Sequence, residues 1–234
     1  MKRKLYIHES ANAVAEAFAD YLERLIEKKS LNIALSGGST PKLLFLELSK
    51  RNQIKWDNVH LFWVDERCVP QDNDESNYRM AKELLIDNVG VPLSNVHRIK
   101  GESEPSKEAI RYENEIKQFV RREGNLPSFD LIILGIGTDG HIASIFPHQM
   151  ELLKTEKICE VATHPISGQK RVSLTGRVIG NAQKVSFMVT GQAKSPIIKS
   201  ILKDEEDAKL YPAAHIKSKE VVTWCIDSAA GSLL

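Results

Sequence analysis

The chain has 234 residues, 42% of them hydrophobic and 27% charged, an ordinary composition for a globular protein. Lys and Arg total 32 against 31 Asp and Glu, a formal net charge of +1. That balance excludes a basic nucleic-acid-binding protein, an acidic disordered tail and a polybasic membrane anchor, but not a local cluster of one sign.

Residues 1–9 start on basic side chains, as a secretion signal does. The apolar stretch then stops at His8 and Glu9, and no apolar core follows. Ala15, Phe18, Leu22, Leu25 and Ile26 recur at helical spacing and predict a helix over 11–29. A strand is expected over 31–35, a helix over 41–50, a strand over 59–64 and a helix over 76–89. A short strand over 96–99 precedes a charged amphipathic helix over 106–123. The unbroken apolar run 129–134 has the character of a strand buried on both faces. Strands follow over 159–163, 172–174 and 185–189, then a helix over 195–202 and a last strand over 221–226. Strands separated by helices imply right-handed βαβ units, hence a doubly wound, mostly parallel, Rossmann-like α/β sheet flanked by helices. The polar segments 101–106 and 203–209 are too short to divide it, so one domain over 1–234 is expected. No apolar run approaches the about 18 residues that a membrane span needs. Cys68, Cys159 and Cys225 are odd in number and far apart, which argues against a disulfide framework or a zinc finger and fits a reducing cytoplasm.

In such a sheet the site lies beyond the carboxyl ends of the strands. The first candidate loop is Ser36-Gly37-Gly38-Ser39-Thr40-Pro41. Its glycines permit close backbone approach, with Thr40 expected as N-cap and Pro41 at the first helical position. The free N–H groups of a helix start, joined by the hydroxyls of Ser39 and Thr40, suit an anion. The loop lacks both the Gly-Lys-Ser/Thr of a nucleotide-binding loop and the Gly-x-Gly-x-x-Gly of a dinucleotide fold. The next strand runs into Asp65-Glu66-Arg67. Arg67 can bind phosphate or stabilise developing negative charge, and Asp65 can orient a partner. The third loop, Gly135-Ile136-Gly137-Thr138-Asp139-Gly140-His141, sets one His among glycines, and His141 is the candidate general base. His148 lies seven residues on, a spacing that fits no known zinc pattern, so no metal is expected. Arg171 and Lys194, the latter past the strand ending near Thr190, are candidate phosphate ligands, although each alone reads as a surface cation.

Taken in order, these segments resemble the 6-phosphogluconolactonases of the glucosamine-6-phosphate deaminase/isomerase superfamily. The resemblance covers nearly the whole chain. It runs through Ser36–Pro41, Val64-Asp65-Glu66-Arg67-Cys68-Val69-Pro70, Asp74-Glu75-Ser76-Asn77-Tyr78 and Asn95-Val96-His97-Arg98-Ile99. Its most specific piece is Leu134-Gly135-Ile136-Gly137-Thr138-Asp139-Gly140-His141-Ile142-Ala143-Ser144-Ile145-Phe146-Pro147, followed by Arg171–Thr175 and Gly191-Gln192-Ala193-Lys194. The resemblance implies cofactor-free hydrolysis of a small phosphorylated sugar lactone, 6-phospho-D-glucono-1,5-lactone, in the oxidative pentose phosphate pathway. It implies His141 as the base that activates water, with Asp65 and Arg67 beside it. Ser39, Thr40, Arg171 and Lys194 would hold the phosphate, and Gly37 and Gly38 would supply close backbone. The family usually has Gly after the Phe-Pro pair, where this chain has His148. Neither nucleic acid nor membrane is an expected partner, and a monomer or weak homodimer is expected.

Two rival readings differ at identifiable residues. An amino-sugar phosphate deaminase or isomerase carries Glu five residues after the His, where this chain has Phe146, which cannot shuttle protons between carbons. A non-catalytic sugar-phosphate sensor would be expected beside a DNA-binding domain with a basic helix, and no basic stripe is present. The absence of Gly-x-Ser-x-Gly favours direct water attack over an acyl-enzyme.

Overall fold

The computed structural model describes residues 3–234; Met1 and Lys2, part of the basic start, lie outside them. In chain order the elements are β1 (Arg3–His8), α1 (Ala11–Ile26), β2 (Leu31–Leu35), α2 (Ser39–Leu48), β3 (Val59–Trp63), β4 (Asp65–Arg67), α3 (Asn77–Leu84), β5 (Val96–His97) and α4 (Pro105–Phe119). They continue with β6 (Arg122–Glu123), β7 (Leu126–Pro127), β8 (Leu131–Leu134), β9 (Cys159–Thr163), β10 (Lys170–Leu174), α5 (Gly176–Gly180), β11 (Lys184–Val189), α6 (Ser195–Leu202) and β12 (Val221–Asp227).

Seven strands form the central sheet in the order β1-β12-β11-β8-β2-β3-β5, every pair parallel. β8 is buried at all four positions, as its unbroken apolar run requires. α1 presents Val14, Ala15, Phe18, Leu22 and Ile26 to the interior, and Ser10 caps it by accepting from the N–H of Ala13. The buried side chains join into one continuous core around Phe62, Trp63, Phe129, Phe187 and Trp224. No helix among the described residues is long and apolar enough to cross a membrane.

The chain leaves β2 toward β3 and β5 on one side, and leaves β8 toward β11 and β12 on the other. Strand order therefore reverses between β2 and β8, and a crevice opens there past the strand ends. Two features depart from the expected pattern. β1 is an edge strand that periodicity did not reveal, because five of its six residues are exposed. The strands read over 159–163 and 172–174 do not join the parallel sheet; β9 and β10 form a separate antiparallel sheet with β4, in the order β4-β10-β9. The charged triplet Asp65-Glu66-Arg67 is thus itself a strand, with Asp65 opposite Ser173 and Arg67 opposite Arg171.

Candidate active site

Past the ends of β2, β3, β8 and β11 lies a cavity of about 240 Å³. All nine residues expected at the site line it: Gly37, Gly38, Ser39, Thr40, Asp65, Arg67, His141, Arg171 and Lys194. Three cations and one carboxylate among them make it locally positive in a chain close to neutral.

One wall is the start of α2. The helix begins at Ser39 with Gly38 as its N-cap, two residues earlier than the expected capping by Thr40. The Thr40 hydroxyl instead meets that of Thr190 at 2.8 Å, tying α2 to the end of β11. Gly38 holds φ +106°, which an L side chain rarely adopts. The cap uses no side chain, so the first helical N–H groups keep their capacity for an anion.

A second wall is the loop after β8. His141 Nδ1 lies 2.6 Å from Asp139 Oδ1, and the same oxygen accepts from the His141 backbone N–H at 3.2 Å. Burial opposes ionisation of Asp139, but the hydrogen bond and charge of His141 outweigh it and hold the carboxyl at about 2. Asp139 belongs to the glycine-rich motif, yet it was given no role from sequence. The available signal was its place two residues before His141, close enough for the carboxylate to fold back on the ring. Gly137 makes room for the pair: a Cβ there would stand 2.1 Å from His141 Nδ1. With Nδ1 engaged, Nε2 is the ring nitrogen left for chemistry.

Asp65 is expected to orient a partner, with His141 and Arg67 as its neighbours on the cavity lining. Its own hydrogen bonds lead elsewhere. Oδ2 accepts from Ser144 Oγ at 2.6 Å, its carbonyl accepts from Asn77 Nδ2 at 3.0 Å, and Arg171 Nη1 stands 4.0 Å from Oδ2. Arg171 also lies over the Phe146 ring at 5.7 Å, and burial lowers its pKa against the pull of Asp65. Arg67 donates from Nη1 to the carbonyl of Glu75 at 2.6 Å. The Nε atoms of both arginines are buried without a protein partner.

Glu66 is a site-building residue that the sequence did not disclose. Its buried carboxylate accepts from the N–H groups of Arg67, Asn77 and Tyr78, each at 2.8 Å, and from Ser76 Oγ at 2.9 Å. Burial pushes its pKa up and these four donors pull it back. The effect is to lock the β4 strand to the start of α3, with Arg67 and Asn77 on the cavity wall. Asn77 in turn fills the space beside Gly37, where a Cβ would meet its Oδ1 at 1.8 Å. Lys194 follows the turn at Gly191, which holds φ +94° and donates its N–H to Asp227 at 3.0 and 3.1 Å. Burial lowers the Lys194 pKa, partly offset by Asp139.

Comparison with known proteins matches residues 7–224 to a family described as glucosamine-6-phosphate isomerases/6-phosphogluconolactonase. The 6-phosphogluconolactonase of Haemophilus influenzae is 42% identical over 229 residues, covering 96% of this chain and 95% of that protein. The 6-phosphogluconolactonase of Treponema pallidum is 40% identical, covering 86% and 85%. Among solved structures, 6-phosphogluconolactonase from Thermotoga maritima superposes with a TM-score of 0.85 at 31% identity, covering 97% of this chain and all of the other. A monomeric glucosamine-6-phosphate deaminase superposes at 0.84 with 19% identity, a likeness of fold alone.

Proposed function

Because the chain belongs to the family of glucosamine-6-phosphate isomerases and 6-phosphogluconolactonases, we propose that it is a lactonase hydrolysing 6-phospho-D-glucono-1,5-lactone to 6-phosphogluconate. The observation that carries this reading is the Asp139–His141 pair, whose imidazole lines the same cavity as Arg67, Arg171, Lys194 and the start of α2. A candidate base and three cations thus line one crevice.

The residues divide the work by their surroundings. The α2 N-terminus with Ser39 and Thr40, together with Arg171 and Lys194, holds the phosphate, so remote binding energy orients the lactone. Gly37 and Gly38 let the backbone approach it. Asp139 fixes the imidazole so that Nε2 accepts a proton from water as the water oxygen bonds to C1. The carbonyl electrons move to the exocyclic oxygen, and Arg67 stabilises that oxyanion. Collapse restores the carbonyl and breaks the bond from C1 to the ring oxygen. That oxygen takes the proton from the imidazolium and leaves as a hydroxyl. Water has been added across one ester bond, and the base is regenerated. Asp65, held by Ser144 and Asn77, keeps Arg171 and the β4 strand in place.

A deaminase or isomerase reading is disfavoured by Phe146, a fully buried ring beside His141 where proton transfer between carbons would call for a carboxylate. The test follows acid release from freshly generated lactone against its spontaneous hydrolysis. Acceleration by the pure protein is expected; a rate equal to that of buffer would sink the proposal.

A further inference from the structure

The catalytic loop is held from behind by a segment that none of the chemistry touches. Gly140, directly before His141, has φ +81°, and a Cβ added to it would stand 2.6 Å from Cβ and Cδ1 of Tyr211. The Tyr211 ring therefore rests on the backbone at Gly140. Two residues on, the N–H of Ala213 donates to the Gly140 carbonyl at 3.1 Å. The loop itself is tight: the Gly140 N–H donates to the Gly137 carbonyl, and the Gly137 N–H to the His141 carbonyl at 2.9 Å. A shift at Gly140 therefore passes straight to the His141 backbone.

Tyr211 is anchored in its turn. Its hydroxyl donates to Asp207 Oδ2 at 3.1 Å, and Asp207 Oδ1 accepts from Ser200 Oγ. Ser200 lies in α6, the helix that starts immediately after Lys194. The chain of contacts thus runs from the helix behind Lys194, through Asp207 and Tyr211, to the loop that carries His141.

We propose that Tyr211 is a positioning residue for His141 through its ring, which packs on the Gly140 backbone, the bond of its hydroxyl to Asp207 being a secondary anchor. The inference rests on the reading of His141 as the water-activating base. Tyr211 itself need touch neither substrate nor water.

The test compares wild type, Y211A and Y211F by steady-state kinetics on the lactone and by proton NMR of the His141 Nδ1–H bonded to Asp139. In Y211A, kcat is expected to fall by about tenfold to a hundredfold, as for a reacting group misplaced by roughly 1 Å. KM is expected to stay within about twofold, since phosphate capture is intact. Y211F keeps the ring on Gly140 and is expected to recover most of kcat. The Nδ1 proton resonance should move or broaden in Y211A and return in Y211F. Wild-type kcat and an unmoved resonance in Y211A would overturn the proposal, as would Y211F as impaired as Y211A. Should Y211A not fold, Y211L replaces it under the same criteria. A wild-type protein inactive on the lactone would refute the proposed function, while the NMR arm would still decide the positioning.

Discussion

Asp139 and His141, two residues apart in one turn, form a hydrogen bond of 2.6 Å through the ring Nδ1, which leaves Nε2 free of Asp139. The pair resembles the carboxylate–imidazole half of a hydrolase triad; in the proposed reaction water takes the place of the side-chain nucleophile. H141A should lower kcat by about 10²- to 10⁴-fold with a much smaller effect on KM, the range expected for loss of a general base. D139N should cost at least about tenfold in kcat through misorientation of the ring. Unchanged kcat in H141A would remove water activation by this residue.

The pH profile tests the same pair. Asp139 is held at about 2, below its ordinary 3.8, so it stays ionised as pH falls until well below the ordinary carboxylate range. Any stability it lends is present above 3.8 and is lost as pH drops toward 2. Between about pH 4 and about pH 9 it therefore adds no proton to the acid limb of kcat/KM, which should fall with a slope of one. A slope of two would show that the carboxylate titrates together with the base.

Lys194 should report on substrate capture. K194A is expected to raise KM by about tenfold or more, the scale of one hydrogen bond to a charged group, with kcat little changed. Burial lowers the pKa of Lys194, so it loses its proton at lower pH than an ordinary lysine. KM should accordingly climb on the alkaline side, and K194R should flatten that climb because guanidinium keeps its charge. A K194A enzyme with wild-type KM would place Lys194 outside the phosphate site.

Glu66 should behave as a structural keystone of the site. E66A strands four donors, three of them backbone N–H groups at the meeting of β4 and α3. With about 1–3 kcal/mol for each buried unsatisfied group, a loss of about 3 kcal/mol or more in denaturant unfolding is expected. Stability within about 0.5 kcal/mol of wild type would show that water satisfies these donors instead.

Asp227 anchors the Gly191 turn that leads to Lys194. Its carboxylate takes the N–H groups of Gly191 and of Ala230, the latter at 2.8 Å. D227A should raise KM several-fold by loosening the Gly191 turn, and lower stability by about 1–3 kcal/mol. An unaltered KM in a folded D227A protein would show that the turn holds without it.

Much of this was readable from residues alone, for definable reasons. β2, β9 and α6 occupy the expected residues because their apolar patterns are short and sharply bounded. The nine expected site residues meet in one cavity because strand order reverses between β2 and β8, and open sheets place loops together at that point. The missed features share a cause, which is partnership distant in sequence or out of view. β1 has no buried face strong enough to give a period. β4 reads as a charge run because its pairing with β10 lies about a hundred residues away. Glu66 finds its donors at Ser76, Asn77 and Tyr78, beyond any local motif. Asp139 was visible but unassigned, since spacing alone does not say that the carboxylate turns back.

The pairing of β1 with β12 also sets an order of events during synthesis. Arg3 lies opposite Val222, and β12 stands between β1 and the rest of the sheet. A nascent chain therefore carries β1 without its neighbour until almost all of the polypeptide has left the ribosome. β2, β3 and β8, with the α2 start after β2 and the His141 loop after β8, are all made long before that. A prematurely released chain would therefore leave the backbone edge of β1 unpaired, alongside Leu5, Tyr6 and Ile7, whose side chains are exposed even in the folded protein.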